Sequence, residues 1–480
     1  MTVRTRFAPS PTGYMHIGNL RTAIYEYLIA KNQHGQFILR IEDTDQGRFV
    51  DGATDVIFET LKTVGMEYDE GPGKGGEFGP YIQSERRQIY RKYADKLVEL
   101  GGAYYCFCGK DRLDELRTKC EAEGKMYRYD GCCKRIDKAI ALERVKRGES
   151  HVVRQVIPEN GNTTFEDVVY GTITVDNSEL EEGILLKADG LPTYNFANVV
   201  DDHLMKITHV IRGSEYLSST PKYNVLYNAF GWELPIYIHL PPIMKTKDKK
   251  LSKREGDASF EDFINRGFLK EAIVNYIVLL GWNPGTEQEF FSMDELKACF
   301  DVQGLSKSPA IFDVQKLRWM NSEYIKRLSV EEYFEHAKPY FISAGLETFD
   351  LLKLSELLKN RTEIFSEITE KVAFVKNLPQ YDIALFSHKK MKTDSESSLN
   401  VLRKVLPALN GIACWSAESI NNCLMTIVVE NNMKNSQVLW PVRTALSGME
   451  SSPGGASELA DVLGKAESVR RIEVAISKLS

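Results

Sequence analysis

Two short stretches of the chain combine residue types and spacing that suit phosphate chemistry. The first, Pro9-Ser10-Pro11-Thr12-Gly13-Tyr14-Met15-His16-Ile17-Gly18-Asn19, is a breaker-rich loop. After it, Leu20, Ala23, Ile24, Tyr27 and Leu28 recur at i, i+3, i+4, i+7 and i+8, which predicts an amphipathic helix opening at the loop. Exposed N–H groups and the positive end of the helix dipole favour an anion there. His16 can donate a hydrogen bond to a phosphate and Gly18 leaves a nucleotide room to approach; equally, His16 could cap the helix and Gly18 could serve packing. The second stretch, Lys245-Thr246-Lys247-Asp248-Lys249-Lys250-Leu251-Ser252-Lys253-Arg254, sets six basic residues against one acid. Such a run is a solvated face, a nucleic-acid patch, or a clamp that neutralises charge on a departing pyrophosphate.

The elements that must position these residues form an α/β pattern. Val3, Thr5 and Phe7 alternate as one face of a strand before the loop, and Phe37-Ile38-Leu39-Arg40-Ile41 is a second strand ending in Glu42-Asp43-Thr44-Asp45. Strand, helix, strand within about forty residues is a βαβ unit, hence a parallel sheet with a right-handed crossover. Ligands of such sheets bind at the carboxyl ends of the strands, where both the loop and the acidic cluster fall. From about Tyr104 to Leu180 a Cys-rich patch, a charged helical stretch and short strands such as His151-Val152-Val153-Arg154 mark an inserted domain. Ile184-Leu185-Leu186, Thr193 to Val200 and Ile207-Thr208-His209-Val210-Ile211 then read as strands, a helix follows Thr220-Pro221, and Ile236-Tyr237-Ile238-His239-Leu240 leads through Pro241-Pro242 into the basic run. From Phe260 onward the pattern is helical, with soft points expected at Ser387 to Ser398 and Ser447 to Ser457.

At 480 residues the chain is long enough for about three or four domains. Charged residues at 27% and aromatics at 10% exclude a disordered, collagenous or disulfide-scaffold protein. With a mean hydropathy of -0.30 and no apolar run near the length of a span, no membrane segment is expected. The N-terminus lacks a secretory h-region, so the eight cysteines are expected as reduced thiols in a cytoplasmic protein. Cys106, Cys108, Cys120, Cys132 and Cys133 cluster as candidate zinc thiolates, whereas Cys299, Cys414 and Cys423 read as packed thiols. The net charge of -6 argues against a uniformly basic coat, not against a local basic face; its acidic excess is expected in stretches such as Glu179-Leu180-Glu181-Glu182 and Asp201-Asp202.

His16-Ile17-Gly18-Asn19 resembles the first signature of class I aminoacyl-tRNA synthetases, and Lys250-Leu251-Ser252-Lys253-Arg254 resembles the second. The stretches Thr5 to Gly13, Arg40 to Asp45, Thr193 to Asp202, Ile207 to Glu215, Ser308 to Asp313 and Leu463-Gly464-Lys465 are similar to bacterial-type glutamyl-tRNA synthetases, a likeness running from residue 3 to near the C-terminus. The resemblance implies a Rossmann-type parallel-sheet catalytic domain split into 1–103 and 191–259. It further implies an acceptor-stem-binding α+β insertion at 104–190, a stem-contact domain at 260–330 and an all-α anticodon-binding region at 331–480. The implied reaction joins L-glutamate to tRNA(Glu) through glutamyl-adenylate, with ATP and Mg²⁺, in a monomer. ATP would be held by His16, Gly18, Asn19, Glu215, Leu251, Lys253 and Arg254, with His16, Gly18 and Lys253 catalytic. Glutamate would meet Arg6, Ala8, Ser10, Glu42, Tyr194, Asn198 and Arg212, the arginines reading its carboxylate and Glu42 its ammonium.

Two further sites follow from the same resemblance. Some members bind zinc in the insertion with a Cys-x-Cys and a later Cys-x-His; here Cys133-Lys134-Arg135 lacks the histidine. Cys106, Cys108 and Cys133 remain, with Tyr129, Cys120 or Cys132 as a fourth ligand. Arg361 falls where an arginine reads the third anticodon base in members that charge only the glutamate tRNA; it could equally be an exposed helix arginine. Trp319 is expected as a core aromatic between the stem-contact and helical parts. A glutamine-specific relative, a truncated relative that modifies a tRNA base, and a silent tRNA-binding paralogue are the alternatives. The two arginines, the helical C-terminal half, and His16, Lys253, Glu42 and Arg212 respectively argue against them.

Overall fold

The N-terminal strand shows why this sequence folds as it does. In the computed structural model, which describes residues 2–45, 47–48, 50–125, 127–251 and 259–480, β1 (Arg4–Phe7) is buried at every position rather than on one face. It pairs in parallel with β2 (Gln36–Leu39) through α1 (Ile17–Asn32), with Arg4 beside Gln36 and Phe7 beside Leu39, so the βαβ unit is present. Parallel sheets are covered on both faces. The second face here belongs to Arg4 and Arg6, whose polarity hid its burial. α1 is likewise enclosed rather than one-faced: Arg21 and Glu26 are buried along with its apolar residues.

The remaining strands are β3 (Ala103–Cys106), β4 (Val152–Gln155), β5 (Asn162–Asp167), β6 (Gly171–Asp176), β7 (Ile184–Leu186), β8 (His209–Gly213), β9 (Ile236–Leu240), β10 (Ile243–Met244) and β11 (Ala310–Ile311). β3, β4 and β7 form an antiparallel sheet in that order, and a four-stranded sheet runs β6-β5-β9-β8 with β8 and β9 parallel. Thr208 stitches β1 to this second sheet: its N–H donates to Arg4 O at 2.9 Å, and its carbonyl accepts from Ile236 N at 2.9 Å. β5 comes from the expected insertion yet joins β9 at Asp167 beside Tyr237.

Three expectations are corrected. The segment from Thr193 to Val200 is not a strand but the start of a helix, Tyr194–Leu204. Phe196, Ala197, Val199 and Val200 are buried at helical spacing, and this packing overrides the strand preference of the valines. Ser387 to Ser398 is not a soft linker, because Asp394 caps helix Ser395–Asn410 through Ser397 N at 2.7 Å and the buried Ser398 hydroxyl donates to Phe386 O. Ser447 is buried as well, its hydroxyl returning to Arg443 O, and helix Ala456–Leu463 begins inside the second segment. Serine here serves caps and helix ends, the roles its short hydroxyl suits.

The chain divides into two compact units, one made of the chain up to Phe263 with Ile273–Asp313, the other of Ile264–Ala272 with Val314–Ser480. Residues 260–330 contribute to both. The second unit packs helices about a core including Tyr333, Phe341, Leu354, Phe365, Val405 and Leu446. Among the described residues no helix is long and apolar enough to cross a membrane.

The first unit is tied by a lattice of buried charges. Asp202 accepts from Arg40 Nη1 at 2.7 Å and from Arg6 Nε at 3.1 Å. Asp201 accepts from Arg86 Nε at 2.8 Å, Gln83 Nε2 at 2.9 Å and the Tyr90 hydroxyl at 2.7 Å. Asp201 and Asp202, expected to carry part of the acidic excess, are 0% and 3% exposed, so their charge is spent on buried partners. Burial alone would raise Asp202, but Arg6 and Arg40 together hold it below the ordinary carboxylate range.

Two substitutions test these anchors. Asp202→Asn should destabilise the chain by about 3–5 kcal/mol at neutral pH, the cost of breaking a buried pair. A depressed carboxylate stabilises the fold above its unfolded pKa and loses that effect as pH falls through the folded value, so denaturant melts should show the difference shrinking in acid. In the second unit Arg471, fully buried, donates to Leu446 O at 2.6 Å and Val375 O at 3.0 Å. Arg471→Met should cost roughly 1–3 kcal/mol for each carbonyl left unpaired, read by the Trp415 and Trp440 fluorescence of that unit.

Candidate active site

A cleft of about 410 Å³ opens at the carboxyl ends of β1, β2 and β8. It brings together eight of the expected residues: Arg6, Ala8, Ser10, Asn19, Glu42, Tyr194, Arg212 and Glu215. The geometry follows from the strands. Beyond β2, Arg40 N–H donates to Phe7 O and Glu42 N–H donates to Pro9 O, which pins Glu42 beside the loop. The loop itself turns at Gly13, whose φ of 115° suits a residue without Cβ.

His16 caps α1, its Nδ1 accepting from Gly18 N–H at 3.0 Å. With Nδ1 accepting, a neutral ring carries its proton on Nε2. A Cβ on Gly18 would stand 3.1 Å from His16 Nδ1, so the glycine gives the histidine ring its place. The capping role of His16 is thus present in the structure.

The second motif is described only at its margins. Leu251 N–H donates to Ile243 O at 3.3 Å and Lys250 bridges Met244, whereas Ser252, Lys253 and Arg254 lie outside the described residues. The chain returns at Ser259, which bridges His16, and Phe260 N–H donates to Met15 O at 3.0 Å. Ser259-Phe260, which follows the basic stretch in sequence, is therefore anchored against the first motif.

Inside the cleft the charges are already partly committed. Arg6 Nη1 donates to Glu26 Oε1 at 3.1 Å and to Ile211 O at 3.3 Å, while its Nε serves Asp202. Glu26 is a site residue that the sequence reading missed; the signal was an acid in the middle of the apolar run Ile24-Tyr25-Glu26-Tyr27-Leu28. Burial pushes its carboxyl well above the usual range, and Arg6 offsets only part of that rise. Glu42 Oε1 accepts from Arg40 Nη2 at 2.9 Å and from Gln83 Nε2 at 3.3 Å. Its Oε2 takes no hydrogen bond among the described residues, leaving an acceptor for a ligand. Burial raises Glu42 also, against the pull of Arg40 and Arg6.

Arg212 sits over the Tyr223 ring with its carbon 4.7 Å from the centroid. Glu215 folds back over Gly213, where a Cβ would meet its carboxylate oxygens at 2.2 and 2.3 Å, so only glycine admits this arrangement. Asn198 does not line the cleft; it is buried one turn along from Tyr194, to whose carbonyl its Nδ2 donates at 2.7 Å.

Elsewhere, the Sγ atoms of Cys106, Cys108 and Cys133 lie within 4.8 Å of one another. The Tyr129 hydroxyl stands 3.4 Å from Cys106 Sγ and 3.3 Å from Cys108 Sγ, while Cys120 and Cys132 stay out of the group. Arg154 Nε and Arg112 Nη1 point donors at the sulfurs of Cys106 and Cys108, both at 3.4 Å. Burial pushes the Cys108 thiol up to about 11. Cys299 and Cys414 are exposed, contrary to the expectation of packed thiols, whereas Cys423 is half-buried against the helical core. Trp319 is no core residue either: it is 40% exposed, with Lys316 Nζ 4.3 Å above its ring. Arg361 follows helix Leu351–Lys359, donating to Leu357 O at 2.7 Å and pairing with Glu458 at 3.3 Å.

Comparison with known proteins gives the cleft its context. Residues 2–319 match the family of tRNA synthetases class I (E and Q), catalytic domain, and residues 332–476 match an anticodon binding domain family. The glutamate–tRNA ligase of Clostridium novyi (strain NT) is 61% identical over 99% of this chain and 98% of its own. That of Clostridium tetani (strain Massachusetts / E88) is 57% identical over the same shares. A crystal structure of a glutamate tRNA ligase from Elizabethkingia meningosepticum CCUG26117, in complex with its amino acid, is 33% identical with a TM-score of 0.91, covering all of both chains. With full-length identity to such ligases and a catalytic and an anticodon-binding family match in the same order, the chain belongs to the glutamate–tRNA ligases, class I aminoacyl-tRNA synthetases.

Proposed function

We propose that the cleft activates L-glutamate with ATP to glutamyl-adenylate and pyrophosphate, and that glutamate then passes to the 3'-terminal adenosine of tRNA(Glu). The observation that carries this reading is the meeting, in one cleft, of Arg212 and Glu42 beside the N-terminus of α1. A cation and an acid match an amino acid's carboxylate and ammonium, and a helix start suits phosphates. The amino acid's α-carboxylate is itself the nucleophile toward the α-phosphate. The protein's work is accordingly placement and charge stabilisation.

The residues divide that work. Arg212 reads the side-chain carboxylate; Arg6, with Asp202 and Glu26 already on its guanidinium, supports the same wall. Glu42 Oε2 receives the α-ammonium, with Ala8, Ser10 and Tyr194 lining the pocket and Asn198 holding the Tyr194 backbone. His16 Nε2–H, the Gly18 and Asn19 backbone, Glu215 and Leu251 hold ATP, and Lys253 and Arg254 stabilise the pyrophosphate. Mg²⁺ accompanies ATP, held mainly by its phosphates. Regions 1–103 and 191–259 form the catalytic domain, 104–190 grips the acceptor stem, 260–330 contacts the stem, and 331–480 reads the anticodon, with Arg361 selecting for tRNA(Glu) over tRNA(Gln). The enzyme works as a cytoplasmic monomer.

We further propose that Cys106, Cys108, Cys133 and Tyr129 hold a structural zinc. Three thiolates and a phenolate make a four-ligand set for a tetrahedral ion, and Arg112 and Arg154 favour the anionic ligands. The ion would tie β3 to the turn Cys132–Arg135.

Purified protein with tRNA(Glu), glutamate and ATP should form glutamyl-tRNA, and no product under those conditions sinks the proposal. Glu42→Gln should raise KM for glutamate about 10- to 100-fold, the worth of one charged hydrogen bond, without changing KM for ATP. Metal analysis should find one zinc per chain, lost in Cys108→Ser and weakened in Tyr129→Phe; a metal-free wild type refutes the site.

A further inference from the structure

Behind Arg212 lies a chain of hydrogen bonds that the reaction as described does not use. Arg212 Nε donates to His239 Nε2 at 3.1 Å, and its Nη2 donates to Thr220 Oγ1 at 2.8 Å. His239 Nδ1 meets Asp167 Oδ2 at 2.6 Å, and the His239 backbone N–H donates to the same oxygen at 3.0 Å. Asp167 Oδ1 is taken in turn by Val169 N–H at 3.0 Å and Tyr170 N–H at 2.8 Å. His239 and Thr220 are both 0% exposed.

The donors and acceptors fix the tautomer of His239, whose Nε2 also lies 3.2 Å from Thr220 Oγ1. An aspartate facing three backbone N–H groups is an acceptor, so the proton on His239 must sit at Nδ1 and point to Asp167. Nε2 then offers a lone pair, which Arg212 Nε–H fills. The Thr220 hydroxyl can donate to Tyr216 O at 2.9 Å or to His239 Nε2 at 3.2 Å, and in either case presents a lone pair to Arg212. Burial keeps His239 below the ordinary imidazole range, although Asp167 partly restores it, and this favours the neutral ring that the assignment requires. Asp167, His239 and Thr220 resemble a nucleophilic triad in composition. They cannot act as one, because all three are enclosed and the Nε2 lone pair is spent on the arginine.

The Nε–Nη2 edge of the guanidinium is thereby fixed from behind at both donors, while Arg212 still lines the cleft. We propose that Asp167 and His239 are positioning residues that lock Arg212 in the orientation that reads the side-chain carboxylate, and so set the preference for glutamate over glutamine. Asp167 lies on β5, inside the 104–190 insertion, and reaches His239 because β5 pairs with β9 at Tyr237. The insertion thus supplies the last member of a substrate-reading relay. The inference rests on the reading of Arg212 as the carboxylate contact.

Steady-state charging by the full-length chain tests it. Asp167→Asn keeps the volume but presents an N–H to His239 Nδ1, moving the ring proton to Nε2, where it opposes Arg212. KM for glutamate should rise about ten-fold or more, the loss of one hydrogen bond to a charged group, with KM for ATP and tRNA within about two-fold. Discrimination against glutamine should fall by a similar factor. His239→Leu should do the same, and His239→Gln, whose Oε1 can replace the Nε2 acceptor, should recover most of the loss. Should His239→Leu fail to fold, Asp167→Asn and His239→Gln decide. Unchanged glutamine discrimination in Asp167→Asn, or equal KM rises for all three substrates, overturns the proposal. Arg212→Ala separates the two claims: if it leaves KM for glutamate unaltered, the carboxylate reading itself fails, and if it raises KM while Asp167→Asn does not, the positioning role alone fails.

Discussion

The structure of the first unit depends on opposite charges buried together. Isolated, each of Arg6, Arg40, Asp201 and Asp202 would be too costly to take out of water, and the cost is met only when every ion has its partners in place. Here Asp202 is shared by two arginines, and Asp201 gathers an arginine, an amide and a phenol. The four ions come from β1, the end of β2 and the helix Tyr194–Leu204, so satisfying one fixes the others. A floor made this way cannot yield locally. The residues standing on it, Glu42 above all, are held before any ligand arrives, which is what electrostatic preorganisation requires.

The parts of the site legible in the sequence were those with local signals. A breaker-rich loop ahead of an apolar helical period marked the phosphate end, and acids at a strand terminus marked the ligand edge; both lie where the βαβ reading put them. What escaped was anything decided by a distant partner. Arg6 and Asp202 are 196 residues apart in sequence, and nothing near either one announces a buried pair. Asp201-Asp202 counted only as part of an acidic excess, because composition counts charge and not enclosure. The same blindness explains the helix at Tyr194, read as a strand from its valines, and Trp319, read as core from its size while its ring lies half in solvent under a lysine. Glu26 was visible as an acid among apolar neighbours, a pattern that in an enclosed helix calls for a counter-ion.

The stretch expected as an insertion, 104–190, holds two separate groupings of polar side chains. Its thiol and phenol groups gather where β3 meets the turn at Cys132–Arg135, with arginines aimed at the sulfurs. Further along the chain β5 runs alongside β9, so that one aspartate of the insertion lies within hydrogen-bonding distance of a histidine of the catalytic sheet. A segment that interrupts the α/β pattern in sequence is thus continuous with it in hydrogen bonding.

The long separation within the charge lattice also has a consequence in time. Chains emerge at about 5–20 residues per second, so Arg6 waits roughly 10–40 s for Asp202 to be made. Until then Arg6 and Arg40 have only the nearby acids Glu26 and Glu42, and the shared carboxylate that joins them is missing. The charge lattice can therefore be completed only once the helix Tyr194–Leu204 has been made, before half of the 480 residues are in place.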